Sequence, residues 1–193
     1  MRGPLAKPVS LLIGPQDPRL EDDQTNVHVL QMKPAAPLLL IDVDGVISLF
    51  GFDQTEPPDG RYTAVDGIPH LISAHAGRRL ARLADRFECV WCTGWEDRAD
   101  EHLPGLLGLP GGWEHLSFAA APGEGLHWKL EAIEAYAGPD RPVAWIDDAH
   151  DDSCARWAAE RPGPTLLVAT DPAVGLTEEH VATLLSWARA APR

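Results

Sequence analysis

Leu38-Leu39-Leu40-Ile41-Asp42-Val43 is an apolar run with one acid near its end. A strand of this kind has no polar face to turn toward water. It must be buried on both sides, inside a sheet covered by helices above and below. The rest of the chain keeps to that plan. Ile72, Ala76, Leu80, Leu83 and Phe87 recur at spacings of four, four, three and four and predict a helix over 69–86. A second strand is expected at 88–93 and helical material near 96–107, before a Gly/Pro turn at Leu109-Pro110-Gly111-Gly112. A helix at 126–137 stops at Gly138-Pro139. Strands at 142–147 and 165–169 bracket a helix at about 152–160, and a last helix starts from an N-cap at Thr177. Strands alternating with helices predict an α/β fold, a parallel sheet with helices on both faces.

The first 35 residues break the pattern. They are rich in Pro, hold the polar run Glu21-Asp22-Asp23-Gln24-Thr25-Asn26, and show no periodicity beyond a short strand at 27–30. A flexible arm at 1–35 and a folded domain at 36–193 are expected. Met32 is the only methionine besides Met1, which makes it a candidate natural start.

Composition narrows the function classes. With 16 Lys+Arg against 29 Asp+Glu the formal charge is −13. That argues against a protein whose binding rests on clustered basic side chains over a phosphate backbone. Arg78, Arg79, Arg82 and Arg86 do cluster, but on one helix, where a solvated face accounts for them. No stretch approaches the roughly 18 apolar residues of a membrane span, so no membrane partner is expected. The run at 10–14 is too short for a signal-peptide core. Three cysteines, Cys89, Cys92 and Cys154, do not make a secreted disulfide framework, and the cytoplasm is the expected location. Cys89 and Cys92 stand three apart on a strand, so their sulfurs face opposite ways and share no metal.

In open parallel sheets ligands bind beyond the carboxyl ends of the strands. There the first strand delivers Asp42-Val43-Asp44-Gly45, the second Thr93-Gly94, and the third Asp147-Asp148. Four carboxylates in one crevice repel unless a cation sits among them, and hard oxygen donors in small number suit Mg²⁺. A plain Asp-Gly turn would account for the first pair but not the second.

These residues also carry a resemblance. The stretch from Leu38 to Val46, a hydrophobic strand ending in Asp-x-Asp-Gly-Val, resembles the first motif of the haloacid dehalogenase (HAD) superfamily. Thr93 resembles its second motif, Lys129 its third, and Trp145-Ile146-Asp147-Asp148 its fourth, in the family's order. After Thr93 the second motif continues Gly94-Trp95-Glu96, and the overall pattern resembles actinobacterial HAD-like proteins and the HAD domains of RNA-repair proteins. The resemblance implies a Rossmannoid sheet and a Mg²⁺-dependent phosphohydrolase acting through an aspartyl-phosphate. In that reading Asp42 is the nucleophile and Asp44 the general acid and base. Thr93, Gly94, Trp95 and Lys129 meet the substrate, and Lys129 offsets negative charge. The metal falls to Asp42, the Asp44 carbonyl, and Asp147 or Asp148. Asp151 and Asp152 are better placed to cap the next helix than to form an outer shell. Lys129 is the one Lys beside eleven Arg after residue 33, which fits a confined site that needs a compact ammonium.

The second Asp, Asp44, separates phosphatases from the family's metal-free dehalogenases. Only 48 residues separate Asp44 from Thr93 and 35 separate Thr93 from Lys129. That suffices for a flap around Phe50–Tyr62, with a turn at Pro57-Pro58-Asp59-Gly60, but not for a cap domain. Capless relatives tend to act on larger substrates or to be closed by a partner subunit, so a homo-oligomer is compatible with this chain. The phosphorylated substrate stays unidentified. A nucleic-acid end and a non-catalytic Mg²⁺ or phospho-ligand module remain as alternatives. Among the histidines, His70 and His75 fall on different faces of the expected helix. His150 is the one expected near the site, and Trp95 is the tryptophan expected to face a substrate.

Overall fold

The computed structural model describes residues 36–118 and 125–191. The arm expected at 1–35, with its strand at 27–30 and the Met32 start, lies outside the described residues. Five strands make one sheet: β1 (Leu38–Ile41), β5 (Glu88–Trp91), β6 (Glu114–His115), β7 (Val143–Asp147) and β8 (Thr165–Ala169). Their order is β6-β5-β1-β7-β8 and every pairing is parallel. β1 is the central strand. The chain builds outward on one side through β5 and β6, then returns to build through β7 and β8. A reversal of this kind opens a crevice at the carboxyl ends of the central strands.

The doubly buried run predicted for β1 forms, and its side chains alternate between two cores. Leu39 and Ile41 join one, with Trp91 and Ile146 from the neighbouring strands. Helices α1 (Ala76–Ala84), α2 (Asp97–Leu107) and α5 (Glu178–Ala190) cover that face through Leu80, Leu83, Ala99, Leu103, Val181 and Leu184. Leu38 and Leu40 join the other core with Val90 and Trp145. α3 (Leu130–Ala137) and α4 (Asp152–Glu160) cover it through Leu130, Ile133 and Cys154. Cys89 and Cys92 fall in different cores, as strand alternation requires, and all three cysteines are free and buried. Burial pushes their thiols up, to about 12 for Cys89 and about 11 for Cys154. They are inert in thiolate chemistry.

Local signals set the element ends. The Thr177 hydroxyl accepts from the His180 N–H, and the His180 ring accepts from the Thr177 N–H in return. Asp151 caps α4 by accepting from the N–H groups of Ser153 and Cys154. Arg79 and Arg82, expected to be merely solvated, ion-pair with Glu178 in the first turn of α5. They tie α1 to the last helix.

Three expectations are corrected. The helix predicted over 69–86 begins only at Ala76, and β4 (Ile68–Ser73) precedes it as an extended strand. β4 pairs antiparallel with β3 (Gly60–Val65) and with the short β2 (Ser48–Leu49) in a three-stranded flap. The hairpin turns at Asp66-Gly67, where both residues take positive φ (52° and 79°). Asp-Gly at the two centre positions is the signature of a tight hairpin turn. The flap therefore closes there, and not at Pro57-Pro58-Asp59-Gly60. His70 consequently lies on a strand and not on a helix face. The helix predicted over 126–137 starts at Leu130, and the His127 N–H ahead of it donates to the Ser153 hydroxyl of α4. No helix among the described residues is long and apolar enough to cross a membrane.

Candidate active site

Asp42 follows the last residue of β1, at the centre of the sheet. Its N–H donates to the Ile146 carbonyl of β7, so its backbone continues the ladder before the chain turns away. Asp44 lies two residues on, and Gly45 completes the turn with φ 70°. A Cβ at Gly45 would overlap the Asp148 carboxyl, so glycine here serves both a left-handed backbone and a close approach. The Thr170 hydroxyl donates to the Gly45 carbonyl from beyond β8.

Lys129, at the start of α3, is only 2% exposed. Its ammonium lies 3.0 Å from Asp42 Oδ2 and donates to Asp147 Oδ2 at 2.6 Å. Burial alone would weaken its charge, but Asp42, Cys92 and Asp147 outweigh burial and hold its pKa up. Asp147 is fully buried and saturated with donors. Oδ2 also accepts from the Trp145 indole N–H, and Oδ1 from the Ala149 N–H. Asp42 is different: burial pushes it up to about 7, against the opposing pull of Lys129. Asp148 is raised too, by partial burial and by the charge on Asp147. Oxygens of Asp42, Asp147 and Asp148 lie within 4.8 Å of one another. Three hard donors at that spacing, with two carboxyls held above their ordinary range, fit a small divalent cation. One ammonium does not balance them.

Thr93 stands just past β5, 1% exposed, with Gly94 exposed beside it. Its hydroxyl accepts a long bond (3.4 Å) from the Trp95 N–H, and its carbonyl accepts from the Glu96 N–H. Glu96 holds this turn in a positive-φ conformation (49°) while its carboxylate accepts from the Phe118 N–H. Trp95 is 8% exposed, and its indole N–H donates to Asp44 Oδ2 at 3.0 Å. His150 packs edge-on against Trp145, 4.5 Å between ring centres, and burial lowers its pKa. Asp152 opens α4 on the surface.

Four residues at this site were not anticipated. His70 faces Asp44 and Trp95, and Ser48 bonds its ring. Both follow from the flap, whose signal was the Asp66-Gly67 pair. Trp145, named above only as part of the fourth motif, bonds Asp147 through its indole N–H, and residues two apart on a strand do share a face. Trp128, 39% exposed, carries the Lys129 ammonium over its ring at 5.0 Å and borders Gly94.

No curated protein matches the chain significantly. The family model describing the HAD domain in Swiss Army Knife RNA repair proteins matches residues 38–181, about three quarters of the chain. That span runs from β1 into the first turn of α5, and it includes every carboxylate and the lysine of the crevice, so the chain belongs to this family of HAD domains.

Proposed function

We propose that this protein is a phosphoric monoester hydrolase that works through a phosphoryl group carried on Asp42. The observation that carries the reading is the buried Asp42–Lys129–Asp147 chain at the carboxyl end of the central strand. A nucleophilic carboxylate must be desolvated, oriented and protected from protonation by a fixed cation. Asp147 holds Lys129, and Lys129 holds Asp42. With its oxygens already taken, Asp147 is a poorer metal ligand than Asp148. We assign the cation to Asp42, Asp148 and the Asp44 carbonyl. Mg²⁺ bound there would supply charge neutralisation on the phosphoryl oxygens.

The chain's own groups perform the rest. An Asp42 carboxylate oxygen bonds to phosphorus as the bond to the leaving oxygen breaks, and protonated Asp44 gives its proton to that oxygen. Asp44, now ionised, takes a proton from water as the water oxygen attacks phosphorus. Phosphate leaves and Asp42 is regenerated. Lys129 balances the added negative charge through both steps, and Thr93 with the amides of its turn holds the phosphoryl oxygens.

Turnover of p-nitrophenyl phosphate with Mg²⁺ is expected to vanish in Asp42→Asn and to return after chelation only when Mg²⁺ is restored. Beryllium fluoride is expected to give a stoichiometric adduct on Asp42. A chain that neither turns over a broad phosphate-ester panel nor forms the adduct is a binding module instead. The matched family description favours a second reading of the substrate, a phosphorylated nucleic-acid end. A 3′- or 5′-phosphorylated oligonucleotide tests it directly.

A further inference from the structure

Asp44 is about half exposed and sits on a turn, yet its carboxylate is not free. Two segments remote in sequence converge on it. Trp95, from the turn after β5, donates its indole N–H to Oδ2 at 3.0 Å. His70, from the flap strand β4, brings Nδ1 to 3.8 Å from Oδ1. That is too long for a direct hydrogen bond, but close enough to wall that side of the carboxylate. The His70 ring is itself held twice. Ser48 Oγ lies 2.9 Å from Nδ1, and the Trp95 ring meets it edge-on at 4.6 Å. Ser48 is in turn fixed to the Asp44 turn, because its carbonyl accepts from the Gly45 N–H at 2.8 Å. The loop of contacts closes on itself: Asp44, Trp95, His70, Ser48, and back to the residue beside Asp44.

Such a cradle is hard to explain as core packing. The two rings are largely buried, 8% exposed for Trp95 and 14% for the His70 side chain, but their polar edges meet a carboxylate. An indole N–H is a donor only, so it occupies Oδ2 and leaves Oδ1 as the oxygen free to pass a proton. An acid working on a leaving group must stay within hydrogen-bond reach of one oxygen, and a misplacement of about 1 Å costs on the order of 100-fold. We propose that Trp95 and His70 are positioning residues that hold Asp44 for proton transfer to the leaving group, with the flap supplying half of the grip. This inference rests on the phosphatase reading above and deepens it.

The test reads leaving-group dependence, which a merely structural role would not alter. p-Nitrophenolate departs with little help from an acid, whereas phenolate from phenyl phosphate needs one. In Trp95→Phe and His70→Phe, which keep an aromatic ring, kcat/KM for phenyl phosphate should fall roughly tenfold or more. For p-nitrophenyl phosphate the fall should be about threefold or less. His70→Asn, whose amide can stand in for Nδ1, should recover part of the loss. In an Asp44→Asn background neither ring substitution should cost anything further. Ser48→Ala should show the same selectivity more weakly, and it carries the test if a ring variant fails to fold. Equal losses on both substrates, or losses that add to that of Asp44→Asn, overturn the inference while leaving the phosphatase intact. A wild type that turns over no ester of a broad panel and forms no beryllium fluoride adduct overturns both.

Discussion

Lys129 carries more of this site than any other single residue. A fully buried ammonium is tolerated only where its charge is matched, and here two carboxylates match it from the ends of neighbouring strands. Replacing it with methionine leaves Asp42 and Asp147 facing each other in a dry interior. At pH 8 without a divalent cation, Lys129→Met should destabilise the fold by about 3–5 kcal/mol, and Mg²⁺ should restore part of that in urea unfolding. Asp42 gives a pH dependence of definite sign. Its ordinary value is 3.8, and burial carries it to about 7 in the metal-free protein. Between those two pH values the folded state holds a proton that the unfolded chain has released. Stability from this group is therefore present at low pH and lost as pH rises through about 7. Lys129 stays charged throughout, since its own pKa is raised. A divalent cation selects the ionised carboxyl. The rise in Tm on adding Mg²⁺ should thus be larger at pH 8 than at pH 5.5. An equal rise at both pH values would mean that the cation is not bound through Asp42.

At the scale of elements, the flap decides whether Asp44 is held, and the Asp66-Gly67 turn decides whether the flap forms. Gly67 has φ 79° with open space where a Cβ would go, so Gly67→Ala meets backbone strain and no clash. The expected cost is about 1–2 kcal/mol. Faster hydrogen exchange should appear in the β3–β4 amides, while β1 and β5 keep their protection. The same turn explains what the amino-acid pattern revealed and what it concealed. Strands buried on both faces announce themselves, because a short apolar run such as Leu-Leu-Leu-Ile between Pro37 and Asp-x-Asp-Gly is too short for a buried helix and has no polar face. β1, β5, β7 and β8 accordingly lie within about two residues of their expected limits. Ile72 misled because it stands four residues before Ala76 and fits the apolar stripe of α1. Its register is set instead by pairing with Arg61 across the hairpin, a non-local contact that periodicity does not encode. The carboxylates and Lys129 were legible because each ends a strand or opens a helix at the sheet's carboxyl edge. His70, Ser48 and the Trp95–Asp44 bond were not, since they exist only once the flap folds back.

At the scale of the molecule, the charge of −13 bears on which phosphate esters can approach. Residues 1–34 hold four cations and four acids, so the whole imbalance belongs to the rest of the chain. Four of its acids, Asp42, Asp44, Asp147 and Asp148, stand in the crevice; without them the charge would be −9. Lys129 and a bound cation offset that acidity at the reacting phosphate, over a few ångströms. They do nothing for phosphates further along a strand, which meet the remaining field. That field reaches about 30 Å at 0.01 M salt and about 10 Å at 0.1 M. A phosphorylated mononucleotide should therefore be turned over with a kcat/KM at least as high as that of a phosphorylated oligonucleotide of about a dozen residues at low salt. Raising the ionic strength should narrow the gap by relieving repulsion of the longer ligand. A protein that grips nucleic acid through a basic groove behaves in the opposite way, with affinity for the longer strand falling steeply as salt rises. Measuring kcat/KM for the two ligands across a salt series separates the cases. Preference for the oligonucleotide that salt abolishes would mean that a local basic surface overrides the net charge. Preference for the mononucleotide that salt erodes would mean that this domain reads only the terminal phosphate and its immediate neighbour.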